Sequence, residues 1–175
     1  MEKKILNDFC FHKPKTLDEA LVLIDKYQEN GLLMEGGSEV IPNMKSLVVT
    51  PDHIISLKHI PEFDYITYTP GEGLHIGPSC TLTKVEYDPN VQSVYPSLYM
   101  GVHGMSNTNI HNISTVTGNI CYAVPSADTA APLLTLNAEL SVKSVDGERK
   151  VGCGVDEGAV KVEEKKPDGH GRAVL

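Results

Sequence analysis

Hydrophobic and polar positions along this chain change period several times, and each change marks an element. Over residues 16–30, TLDEALVLIDKYQEN, apolar Leu17, Ala20, Leu21, Ile24 and Tyr27 recur at helical spacing, the one-sided stripe of an amphipathic helix. Thr16 with Glu19 forms a capping-box pattern at its start, Asp18 and Glu19 sit where the helix dipole favours acids, and Asn30-Gly31 predicts a left-handed stop. The apolar run 32–34 predicts a short buried strand that leads into Glu35-Gly36-Gly37-Ser38-Glu39, and 40–44 reads as a short helical turn. Residues 53–58 alternate as a strand does, and 60–63 suit one helical turn. Residues 65–68 and 74–76 flank Pro70-Gly71-Glu72-Gly73, a hairpin signal, whereas 82–87 fits helix or strand equally. Residues 95–104 read as helix, 129–136 as an apolar helix with Pro125 and Pro132 at its entry, and 138–144 as a strand turning at Asp146-Gly147. After Val151 the chain is rich in glycine and charge and poor in large apolar groups, which predicts a loose or only locally ordered tail. No internal repeat stands out.

Composition narrows the classes of partner. The 175 residues suffice for one ordinary domain or two small lobes with a real core. No apolar run approaches the roughly 20 residues that cross a bilayer, and the opening MEKKILNDF lacks the apolar core of a signal peptide. A cytoplasmic location and no membrane partner are therefore expected. Fifteen basic residues against 23 acidic ones give a net charge of −8. That balance repels polyphosphate backbones and argues against nucleic acid. Cys10, Cys80, Cys121 and Cys153 show no C-x-x-C spacing and are expected to be small buried groups, with Cys121 beside the candidate site.

The segment 114–128, STVTGNICYAVPSAD, carries the candidate chemistry. Thr115, Thr117 and Gly118 offer little bulk, so their main-chain N–H groups can approach phosphate oxygens. The 35–39 turn is a second small-residue segment placed after a strand, where freed amides can face an anion. Two such segments far apart in sequence suggest two walls of one cleft around a dinucleotide.

Together these stretches resemble the flavin-binding subunit of molybdenum hydroxylases, the family of xanthine, carbon monoxide and nicotinate dehydrogenases. That family carries a small-Gly-Gly-Thr-Asp turn followed by Leu-x-Pro-x-Met-Lys; this chain reads Glu35-Gly36-Gly37-Ser38-Glu39-Val40-Ile41-Pro42-Asn43-Met44-Lys45. The family's Arg-Asn-x-Gly-Thr-x-Gly-Gly-Asn-Ile run and Ala-x-Pro-x-x-Asp motif correspond to 111–120, HNISTVTGNI, and 123–128, AVPSAD. Supporting matches in the same order place the resemblance over about residues 8–151. It implies an α+β fold, a two-lobed FAD-binding domain of the vanillyl-alcohol oxidase (PCMH) type. Its lobes would be 1–55 and 56–151, with an irregular tail at 152–175 where the family's C-terminal lobe would follow. It further implies FAD as cofactor, gripped by Glu35, Gly36, Gly37, Ser38, Glu39 and Val40 from one side. Thr115, Val116, Thr117, Gly118 and Asn119 would close from the other, and Asp128 would bond the ribityl or adenosine portion or brace the turn. The implied partners are an iron–sulfur small subunit and a molybdopterin large subunit, with NAD or another electron acceptor.

Several positions depart from the pattern. Thr117 stands for a glycine, which would strain a left-handed position, and Ser114 stands for another. His111 replaces an arginine and suits a partly exposed turn residue. Glu39 can cap the following turn, but Glu35, in place of a small residue, must point away from the cleft or weaken binding. The match fades after Val151, as it would in a fragment, a split-gene product or a shifted frame. A second reading is therefore a cofactor-free scaffold that kept the fold. A third, a free-standing FAD reductase, needs catalytic acids and a substrate lobe that the sequence does not show.

Overall fold

A computed structural model describes residues 6–124, 126–153, 155–156 and 159–160. Strand β1 (Cys10–His12) leads into helix α1 (Leu17–Tyr27), strand β2 (Gly31–Met34), helix α2 (Val40–Lys45) and strand β3 (His53–Ser56). β3 lies between β1 and β2 and pairs in parallel with both, Phe11 and Leu32 standing opposite Ile54. Being central, β3 buries Ile54, Ile55 and Ser56. The stripe on α1 packs here: Ala20 and Ile24 bury against Ile55, Leu57 and Ile60, with Leu21, Tyr27 and Leu33 around them. Thr16 Oγ1 accepts the Glu19 N–H at 3.2 Å, while the Glu19 carboxylate reaches the Lys15 N–H at 2.7 Å, one residue beyond the usual box. The expected stop at Gly31 differs. Gly31 is extended (φ −100°), and the chain reverses at Gln28 (φ 40°) because a 3₁₀ turn, Gln28–Asn30, separates α1 from β2.

The rest of the chain builds a second buried cluster. Strands β4 (Ile66–Thr69) and β5 (Gly73–Ile76) form the predicted hairpin. Five short helices follow: α3 (Leu82–Tyr87), α4 (Pro89–Val94), α5 (Pro96–His103), α6 (Thr108–His111) and α7 (Val116–Cys121); then come α8 (Ala130–Thr135) and the hairpin β6 (Glu139–Ser144)–β7 (Gly147–Gly152). Leu82, Val85, Val91, Leu98, Val102, Val116, Ile120 and Leu133 meet in its centre. The undecided 82–87 is helix because Thr81 caps it, its Oγ1 accepting the Lys84 N–H, and Leu82 and Val85 face inward three apart. The two residues at the tip of the last hairpin are Val145 and Asp146, with Gly147 already paired to Ser144. Of the expected tail, 155–156 and 159–160 form a short antiparallel pair, β8 (Val155–Asp156) and β9 (Ala159–Val160); the remainder of that expectation, and Pro125, lie outside the described residues. No helix among them is long and apolar enough to cross a membrane. Cys80 is buried as expected, whereas Cys10 and Cys121 are exposed, because each lies on an outer face of its element.

Candidate functional site: two chain segments in main-chain contact

The first wall begins where β2 ends. Gly37 takes φ +75°, a left-handed conformation that a side chain resists, and it turns the chain into α2. Among the described residues, the main-chain N–H groups of Gly36, Gly37, Ser38 and Glu39 meet no acceptor. Four successive unspent donors are a ready seat for phosphate oxygens. Val40 opens α2, with Ile41 N–H donating to the Gly37 carbonyl at 3.1 Å. Glu39 is exposed and forms no side-chain cap on α2, contrary to expectation, because its backbone is already helical (φ −104°, ψ −38°) and turns the carboxylate outward.

The second wall lies directly against the first. A Cβ on Gly36 would overlap the Ile113 carbonyl, so only glycine permits this approach. Ser114 Oγ donates to Ser38 Oγ at 2.9 Å across 76 residues of sequence. The serine that departs from the glycine pattern therefore fastens the walls together. Thr81 and Thr115 form an antiparallel bridge, with Leu82 N–H donating to the Ser114 carbonyl at 2.8 Å, which adds a third segment behind the other two.

The expectation of a glycine turn at 115–119 is overturned. Thr115 caps α7, its Oγ1 accepting the Gly118 N–H at 2.9 Å, and this cap selects helix over turn. Thr117 and Gly118 lie inside α7, and neither is among the positive-φ residues. The feared strain at Thr117 is absent. The Gly118 N–H is spent on the Thr115 oxygen, the Val116 side chain is buried in the second cluster, and the Thr117 N–H is left without an acceptor among the described residues. Asn119 Oδ1 accepts from Thr129 Oγ1 at 2.5 Å. Thr129, fully buried, thus braces the segment, a role expected of Asp128, which is exposed and has no hydrogen-bond partner among the described residues.

Two departures acquire partners that the sequence concealed. His111 is buried, not partly exposed: Nε2 lies 2.5 Å from the Met105 carbonyl and Nδ1 2.8 Å from Glu86 Oε2. A carbonyl only accepts, and hydrogen bonds from His103 and His111 hold the Glu86 carboxyl below its ordinary range. His111 thus bridges a carbonyl and a carboxylate at the position where the family carries arginine. Glu35 is held by Ser79, whose Oγ donates to its Oε1. Burial pushes the Glu35 carboxyl up to about 7, with Asp64 adding to the rise and the Ser79 bond and Lys58 opposing it. Its surroundings thus disfavour its negative form.

An α+β fold whose two remote small-residue segments meet around a row of free amides is the architecture of a nucleotide-gripping flavoprotein domain. The chain belongs to the family described as the FAD binding domain in molybdopterin dehydrogenase, which matches residues 7–154. It is 29% identical over 147 residues to the nicotinate dehydrogenase FAD-subunit of Eubacterium barkeri, covering 83% of this chain and 49% of that protein. It is 32% identical over 146 residues to the xanthine dehydrogenase FAD-binding subunit of Escherichia coli O157:H7, covering 82% and 49%. Carbon monoxide dehydrogenase of Hydrogenophaga pseudoflava superposes with a TM-score of 0.81 at 27% identity, over 85% of this chain and 51% of that one. The chain spans about half the length of the curated relatives it matches.

Proposed function

We propose that this chain is the FAD-binding portion of an oxidoreductase subunit in a molybdenum hydroxylase complex, seating the cofactor's pyrophosphate on the 36–39 amides. The contact of Gly36 with the Ile113 carbonyl carries this reading, because it brings both small-residue walls to one place. Glu35, Gly36, Gly37, Ser38, Glu39 and Val40 supply the first wall mainly through main-chain donors. On the second wall, Thr115, Val116, Thr117, Gly118 and Asn119 contribute shape and the Thr117 N–H, and the exposed Asp128 carboxylate is assigned to a hydroxyl of the sugar. A doubly charged diphosphate draws roughly 1.5–3 kcal/mol from each charge-assisted bond, so a few amides suffice to hold it. The two buried clusters, one centred on β3 and one on α3, α5 and α7, support two lobes flanking the cofactor, the first reaching past residue 55 to take in Leu57 and Ile60. FAD, when bound, supplies the redox couple that links iron–sulfur clusters of a partner subunit, themselves served by a molybdopterin subunit, to NAD or another acceptor. The substitutions that favoured a cofactor-free scaffold are each accommodated: Thr117 is unstrained in a helix, Ser114 bonds across the site, and Glu35 is turned onto Ser79. Adding FAD to the purified chain and removing the excess tests the proposal. Flavin absorbance that stays with the protein and is released on denaturation supports it; a colourless protein at micromolar FAD contradicts it.

A further inference from the structure

Resting on that reading, we propose that FAD binding to this chain is coupled to protonation of Glu35, a positioning residue that locks the first wall to the 77–81 segment through Ser79. Glu35 immediately precedes Gly36, the first of the four unspent donors, so a diphosphate seated there lies one residue from its carboxyl. Directly beside Glu35, Gly36 lies so close to the Ile113 carbonyl that a Cβ would overlap it, so this part of the wall is in main-chain contact with the other. The lock itself is stiff. Ser79 N–H donates to the Phe63 carbonyl at 3.0 Å, Gly77 N–H to the Tyr65 carbonyl at 2.8 Å, and a Cβ on Gly77 would overlap the Phe63 carbonyl. The charged groups facing Glu35 are Lys58, from the turn after β3, and Asp64. Asp64 is itself paired with Lys84 at 2.5 Å. Lys58 is exposed, so beyond the Ser79 bond the half-buried carboxyl has weak support for its negative form. Bringing two further negative charges beside it favours the neutral form.

The coupling is read by calorimetric titration of the purified chain with FAD near neutral pH in two buffers of different ionisation enthalpy. Net uptake of a fraction of a proton is expected. Affinity should fall as pH rises from about 6 to about 8.5, by at most tenfold per pH unit for one proton. Glu35→Gln keeps an acceptor for Ser79 and should flatten the profile and abolish the uptake. Binding without proton uptake, or the same pH profile in wild type and Glu35→Gln, overturns the coupling while leaving the flavin reading intact. Absence of FAD binding at every pH overturns that reading and this proposal with it.

Discussion

Replacing His111 with alanine tests how the second wall is held. The ring is 7% exposed and bridges the Glu86 carboxylate, 13% exposed, to the Met105 carbonyl. Its loss strands a carboxylate and a carbonyl in the interior at once. Leaving an interior acceptor unpaired costs about 1–3 kcal/mol, more where it is charged, so depriving two such groups of a partner costs about 3–5 kcal/mol. The lower end applies here, because His103 Nδ1 still bonds Glu86 Oε1 at 2.8 Å and Glu86 keeps some solvent contact. About 3 kcal/mol corresponds to roughly a hundredfold shift in the folding equilibrium. His103 itself is 62% exposed, so His103→Ala should cost under about 0.5 kcal/mol. Urea denaturation at neutral pH measures both. The pH dependence has a definite sign. Glu86 is a carboxyl whose folded pKa is lowered, so its contribution is present above its ordinary value of 4.5 and is lost as pH falls below that. Part of this acid-labile stability should vanish with His111. His111→Ala within about 0.5 kcal/mol of wild type, or His103→Ala costing as much as His111→Ala, would refute the argument from the buried bridge.

Gly36→Ala forces the Ile113 main chain away from the first wall, since neither side of the clash can rotate aside. A cost of about 1–3 kcal/mol or more is expected, with loss of retained flavin absorbance; unchanged flavin content at saturating FAD would separate the walls from the cofactor site. Thr129→Val keeps the volume but removes the donor to Asn119. It should cost about 1 kcal/mol in thermal or urea unfolding, whereas Asp128→Asn, altering an exposed carboxylate, should leave stability unchanged.

What could be read from the sequence depended on how far each determinant reaches along the chain. Helix α1 was legible because its cap, its stripe and its first-turn acids all lie within a dozen residues. The β4–β5 hairpin was legible from its own turn. α4 and α6 escaped, although Asp88 before Pro89 and Asn107 before Thr108 are caps whose side chains accept two N–H groups each. Reading those caps would have found them. In 114–128 the Gly-Asn pair suggested a turn, yet Thr115 capping the N–H three residues on decides for helix.

The departures from the family pattern, which looked like damage when read singly, are where local reading necessarily fails. Ser114 is answered by Ser38 across 76 residues, Glu35 by Ser79 across 44 and His111 by Glu86 across 25. No periodicity or spacing connects such pairs, because each exists only once the segments are packed. Their common location is informative. The Ser38–Ser114 and Glu35–Ser79 bonds and the Thr81–Thr115 bridge tie the 35–38, 79–82 and 111–115 segments into one junction, and the Glu86–His111 pair anchors its far side to α3. Main-chain amides grip a diphosphate only if the backbones carrying them cannot drift apart, since the gain from preorganised donors is lost when they must be reordered on binding. Ser114, which stands for a glycine, thus trades backbone freedom for a side-chain fastening across the junction. On the proposed reading, these three polar pairs join the close Gly36 contact in setting how firmly the two walls are held for a cofactor.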